Sequence, residues 1–188
     1  MFRLCRIVLP VLALLGVSAS AHAVPTDGVG PAAPTVAASA AAAKKKPPRP
    51  RSLLWATVNV CDTRAAPDTI GIRGSMPGSG NRRERMHMRF EVEYLDGADG
   101  RWKAIGPSGD SGWISVGSGR YRARQSGRNF VVRPPREGSF RLRGNVTFEW
   151  RRGDHVVRRA SRRTSGGHPG TRGADPRRHS AAVCVVTA

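Results

Sequence analysis

The stretch that decides the fold is RMHMRFEVEY, residues 85–94. Apolar and polar side chains alternate through it without a break. Met86, Met88, Phe90, Val92 and Tyr94 fall on one row; Arg85, His87, Arg89, Glu91 and Glu93 fall on the other. Successive side chains of an extended chain point to opposite faces, whereas a helix groups its apolar positions every three to four residues. The run therefore predicts a long strand with one face in a core and one in water. Residues 139–151 repeat the pattern. Phe140, Leu142, Val146, Phe148 and Trp150 share one row with Gly144, and Arg141, Arg143, Asn145, Thr147, Glu149 and Arg151 share the other. Each strand has one apolar face to bury, so the two apolar rows are expected to face each other across the core.

Shorter strands are expected at 53–61, where Leu54, Ala56, Val58 and Val60 share a face, and at 69–74, with Ile70 and Ile72 inward. Further strands are expected at 102–105, 113–116, 129–133, 155–160 and 181–187. Turn signals separate them: Pro77-Gly78, Asp96-Gly97, Asp99-Gly100, Ser126-Gly127, Pro134-Pro135 and the hairpin loop Arg152-Gly153-Asp154. No segment carries a helical stripe. About nine short strands at this length predict an all-β chain folded as an antiparallel β-sandwich.

The N-terminal part has a different character. Arg3 and Arg6 precede a short apolar run at 7–17, and Ala21-His22-Ala23 supplies the small-x-small pattern of a cleavage site. Residues 1–23 are expected to be a signal peptide cleaved after Ala23, which makes the protein secreted; an uncleaved anchor is the alternative. Residues 24–50 hold eight Ala and six Pro, then Lys44-Lys45-Lys46. Alanine buries too little area to offset the entropy of ordering, so this reads as a disordered Ala/Pro/Lys linker. Residues 51–188 form the expected folded domain. No later stretch reaches membrane-spanning length.

Signal cleavage would leave two cysteines, Cys61 and Cys184. An even number in an exported chain reads as one disulfide, with two free buried thiols as the alternative.

The domain resembles immunoglobulin-like and fibronectin type III-like sandwiches of exported bacterial proteins. Residues 86–94 are similar to a central C strand. The run Phe140-x-Leu142-x-x-x-Val146-x-Phe148-x-Trp150, with the hairpin to His155-Val156-Val157, is similar to an F–G hairpin. The resemblance implies a fold and no shared binding residues. Antibody domains bridge strands B and F; a Cys61–Cys184 bridge would instead join the first and last strands. The excess of Arg, 28 against four Lys, resembles exported actinobacterial proteins with GC-rich genomes.

The domain carries 26 basic and 12 acidic residues, a surface that attracts anionic polymers. Specific nucleic-acid readers add a recognisable module, and none is visible here. No sequence pattern names a nucleophile or an acid–base pair, so an enzyme is not expected, and no cofactor or metal is implied. His168, Asp175 and His179 match no ligand spacing.

Two functional readings follow. The first is a secreted, non-catalytic binding or adhesion module that contacts anionic cell-envelope polymer through its basic surface, including Arg172, Arg177 and Arg178. The second is a carbohydrate-binding or enzyme-associated sandwich that stacks a sugar on Trp102 and Trp113, which flank a polar loop. The Gly-rich stretch 164–179 is expected to be an exposed, mobile loop dispensable for folding.

Overall fold

The computed structural model describes residues 52–133, 136–168 and 170–187. The expected signal peptide and linker, 1–23 and 24–50, lie outside the described residues. Nine antiparallel strands make up the fold: β1 (Trp55–Thr63), β2 (Ala66–Pro77), β3 (Arg85–Leu95), β4 (Trp102–Ala104), β5 (Asp110–Ser118), β6 (Ala123–Val131), β7 (Ser139–Arg152), β8 (His155–Arg163) and β9 (Cys184–Thr187). One 3-10 turn, Pro107–Gly109, precedes β5. The all-β expectation holds, and each predicted strand has a counterpart.

The strands form two sheets. The smaller has the order β1-β2-β6. The larger has six strands along the path β4-β3-β7-β8, with β5 also on β3 and β9 also on β7. Because β7 takes one side of β3 along its length, β4 and β5 share the other side in succession.

The two long alternating rows do not face each other. They lie side by side in one sheet, with Met86 opposite Trp150, Met88 opposite Phe148 and Phe90 opposite Val146. Period two shows which face is buried but not which strand is the neighbour. Both rows join one core with Ala56, Val58, Ile70, Ile72 and Met76 of the smaller sheet. The buried Trp150 indole donates to the Pro77 carbonyl at 2.9 Å, which satisfies its N–H inside the core.

Gly144 sits in the buried row because there is no room for more. A Cβ there would lie 2.7 Å from Ile72 Cδ1. Gly144→Ala is expected to destabilise by about 1–3 kcal/mol through overpacking, read as a lower denaturant midpoint at unchanged slope, and Ile72→Val should recover part of the loss. Gly127 overturns a turn expectation for the same steric reason. Ser126-Gly127 lies within β6, opposite Gly74 and Arg73. A Cβ on Gly127 would meet the Ile72 carbonyl oxygen at 2.7 Å, so the glycine permits close backbone approach instead of a reversal.

β8 and β9 are two parts of one interrupted strand position. Arg163 pairs with Asn145, and Cys184 pairs with Leu142 only three residues further along β7. The chain between them leaves the sheet, crosses to β1 and returns. It is not the loosely held loop that its composition predicts. Ser165 N–H donates to the Ala56 carbonyl, Val58 and Ala181 exchange two backbone bonds, and Asp175 N–H donates to the Asn59 carbonyl. His168 stacks on Trp55 with ring centroids 4.5 Å apart. Thr63 donates to the Asp175 carboxylate at 2.5 Å. The open edge of β1 supplies backbone partners that a sequence pattern does not reveal, and the excursion covers that edge. At its root, Cys61 and Cys184 are disulfide-bonded, with Cα atoms 5.3 Å apart.

Candidate anion-binding groove

The outer face of the larger sheet carries the polar rows, and most of its charges are already paired. Arg89 binds Asp110 and reaches Glu91 at 3.6 Å, and Arg143 donates to Glu93 at 2.6 Å. Glu149 is fully buried on this face. Arg151 and Arg159 each donate to one of its oxygens at 2.6 Å. Burial alone would raise the Glu149 pKa; the two guanidinium hydrogen bonds outweigh it and hold the carboxyl below its ordinary range. His87, cross-strand from Glu149, is held below the usual imidazole value by burial first and the Arg151 charge second. These groups form an ionic cluster in which both carboxylate oxygens of Glu149 are already bound by guanidiniums.

The two tryptophans of the sugar-binding reading are not neighbours. Trp102 pairs with Leu95, and Trp113 pairs with Arg89. That separation along β3 is roughly 20 Å. Each ring also has a guanidinium over it, Arg143 at 4.2 Å from the Trp102 centroid and Arg151 at 4.8 Å from that of Trp113. The two do not make one stacking platform.

Four arginines without a carboxylate partner among the described residues converge at one pole. Three connections meet there: the segment between β2 and β3, the turn between β5 and β6, and the β7–β8 hairpin. Backbone bonds tie the first two together, and the hairpin joins them through Arg152, whose guanidinium donates to Glu84 at 3.0 Å. Gly78 N–H donates to the Arg122 carbonyl, Gly80 N–H to Gly119, and Gly119 N–H to Glu84. Ser118 donates its hydroxyl to the Arg82 carbonyl at 3.1 Å. In the hairpin Arg152 pairs with His155, which leaves Gly153 at φ 57 in the first position of a two-residue loop.

An open groove of about 400 Å³ lies at this pole, lined by Arg82, Arg85, Ser118, Arg120, Tyr121 and Arg124. Among the described residues, none of those four arginines has a carboxylate within ion-pair distance. Glu84 is committed elsewhere: Arg152 and Asn81 donate to it, and the Ser79 hydroxyl is the largest influence holding its pKa low. Tyr121 carries Arg124 over its ring at 3.9 Å and Arg120 at 4.6 Å, and it accepts from Arg120 at 2.5 Å. That hydrogen bond and the arginine charges favour the phenolate and lower its pKa. Four cations around one concavity, without a compensating acid, make a site of high positive potential.

No protein-family model matches the chain, and neither a curated protein nor a solved structure matches it. The site rests on its own geometry.

Of the arginines singled out in the 164–179 stretch, Arg172 lies near this system and the others do not. Its N–H donates to Gln125 Oε1 at 3.4 Å, and it lines a groove with Ala123, Arg124 and Gln125. Arg177 and Arg178 are exposed and line none of the described grooves. The pole arginines carried no motif in the sequence. They come from segments up to 42 residues apart, Arg82 to Arg124, and the only available signal was the density of Arg next to Gly and Ser in the turns. Among the described residues no three His, Cys, Asp or Glu side chains come together as a metal site, and no helix is long and apolar enough to cross a membrane.

Proposed function

We propose that the protein is an exported, non-catalytic binding module that takes an anionic cell-envelope polymer through its arginine groove. The observation that carries this reading is the convergence of Arg82, Arg85, Arg120 and Arg124 on one open groove without a carboxylate partner. The acids of the larger sheet are by contrast paired to Arg89, Arg143, Arg151 and Arg159. Among the described residues those acids are committed to their own arginines, and none lies within ion-pair distance of the four that line the groove. The excess is functional on this reading, and not merely a by-product of Arg-rich coding.

The fold belongs to the same proposal. The sheet orders β1-β2-β6 and β4-β3-β7-β8 support reading the domain as an immunoglobulin-like or fibronectin type III-like sandwich with strands A-B-E and C′-C-F-G, to which β5 and β9 are additions. On that reading β3 is the C strand and β7–β8 the F–G hairpin. A cleaved signal peptide at 1–23 followed by a linker at 24–50 would present the domain outside the cell. This fold class has no shared site, so the function rests on the groove alone.

Binding of the exported chain to an anionic wall polymer and to a neutral glycan, each titrated with salt, tests the reading. Affinity for the anionic polymer is expected to fall steeply with salt, and Arg82→Ala with Arg120→Ala to weaken it at least tenfold at low salt. Trp113→Ala should leave it unchanged. Salt-insensitive binding of the neutral glycan, lost in Trp113→Ala, would replace this proposal with sugar stacking.

A further inference from the structure

The groove at the pole does not end there. Arg124 lines it and also lines the next groove, with Arg172. The Arg172 carbonyl in turn accepts from Arg73 Nε at 2.9 Å. Arg73 lines a third groove, of about 470 Å³, with Asn59, Gly127, Arg128, Asn129 and Gly173. The three follow one another along β6, from Ala123 to Asn129, a distance of roughly 20 Å. The excursion between β8 and β9 completes the middle of the path, because Arg172 and Gly173 come from it.

We infer that these grooves form one track for an extended, linear, phosphate-bearing polymer, with the pole at one end. This rests on the anion-binding reading above and adds the shape and chemistry of the ligand. Four features support it. Arg73, Arg124, Arg128 and Arg172 have no carboxylate within ion-pair distance among the described residues, so the track is cationic along its length. Arg124 Nε is buried and has no acceptor, as a donor awaiting an anionic oxygen would be. Glycines line the path where side chains would fill it: Gly173, at φ 64, would place a Cβ 2.8 Å from Arg73 Nη2. Burial and the neighbouring Arg172 charge both disfavour the charged form of Arg73, a cost that a bound anion would reverse.

The chemistry favours phosphate over carboxylate. The guanidiniums approach from separate elements, β3, β6, the β5–β6 turn and the excursion, and do not present one planar fork. A tetrahedral phosphate offers oxygens in several directions, whereas a carboxylate is matched by a single bidentate fork. The geometry also disfavours readout of bases. The only aromatic ring among these lining residues, Tyr121, already carries Arg120 and Arg124.

The exported chain is titrated with orthophosphate, tripolyphosphate, long-chain polyphosphate and polyglutamate. Long-chain polyphosphate is expected to bind tightest per chain, by more than its number of equivalent registers explains, with tripolyphosphate filling the pole alone. Arg128→Ala should weaken the long chain about tenfold at low salt and lower its log–log salt slope by about 0.7, while tripolyphosphate binding stays unchanged. Arg73→Ala should do the same. Arg124→Ala should weaken both ligands, and Lys103→Ala neither. Arg128 is exposed, so its variant tests the track without endangering the fold.

Equal per-register affinity for tripolyphosphate and the long chain, or silent Arg128→Ala and Arg73→Ala variants, would reduce the track to a single anion pocket and overturn the inference. Equal binding of polyglutamate would remove the phosphate preference. In either case the anion-binding function would survive. Failure of every anion to bind at low salt would remove both.

Discussion

Replacing both Cys61 and Cys184 with alanine is expected to cost about 5 kcal/mol of folding stability. The bridge spans 123 residues, and the loop-closure entropy withheld from the unfolded chain grows with the logarithm of that span. Cys184 is fully buried, so its truncation adds a packing loss to the entropic one. The bridge also ties β1 of the smaller sheet to β9 of the larger and to the root of the β8–β9 excursion. For a domain of this size the loss is a large part of the total stability. Thermal unfolding of the double variant should begin about 10–20 °C lower, and reductant should shift the unmodified protein to a similar midpoint. An unshifted midpoint in both would show that the β1–excursion hydrogen bonds alone hold the two ends together.

The second large effect concerns Glu149. Arg151→Met with Arg159→Met keeps the aliphatic stems over the carboxylate but removes both of its partners. Breaking a buried ion pair from one side leaves an uncompensated charge, and a loss of about 3 kcal/mol at neutral pH is expected. The pH dependence carries the sharper test. In the unmodified protein the Glu149 pKa is depressed in the fold, so its contribution is present above the unfolded carboxyl pKa and disappears as pH falls through the folded value. In the double variant burial dominates and raises the folded pKa, so the penalty is full above that value and fades on acidification. The stability gap between the two proteins should therefore narrow as pH falls from 7 towards 4. A gap independent of pH would place the loss in packing instead. Glu149→Gln should cost less than the double variant, because the freed Arg159 is already largely in water.

The strands were legible because alternation is a local property. Arg85 to Leu95 and Ser139 to Arg152 formed where period two required, with the apolar rows buried. Their relation was not legible. An inward row can pack against an opposite sheet or lie beside a neighbour, and the same pattern satisfies both. The 164–179 stretch failed differently. Its Gly, Pro and Arg content describes a chain with no apolar face, and such a chain is usually loose. Here it is held by backbone bonds to β1, which composition does not encode. Trp102 and Trp113 flank one polar loop in the sequence, but nothing in their eleven-residue separation showed that β3 sets them on different stretches of one face.

By itself the sequence determined the two long alternating strands, the inward row of each and the excess of positive charge, since these depend on side-chain type and a spacing of two. It also determined that the domain holds only two cysteines that could pair. Only the tertiary structure decided which strands are neighbours, which arginines meet a carboxylate and which do not. Hydrogen-bonded pairing between distant segments sets those relations. It placed Glu149 between two guanidiniums, left Arg82, Arg85, Arg120 and Arg124 without an acid, and brought Arg172 beside Arg73 across 99 residues of chain. Electrostatic free energy depends on separation and burial in space, so a charge count could establish attraction for anions but not where an anion would bind.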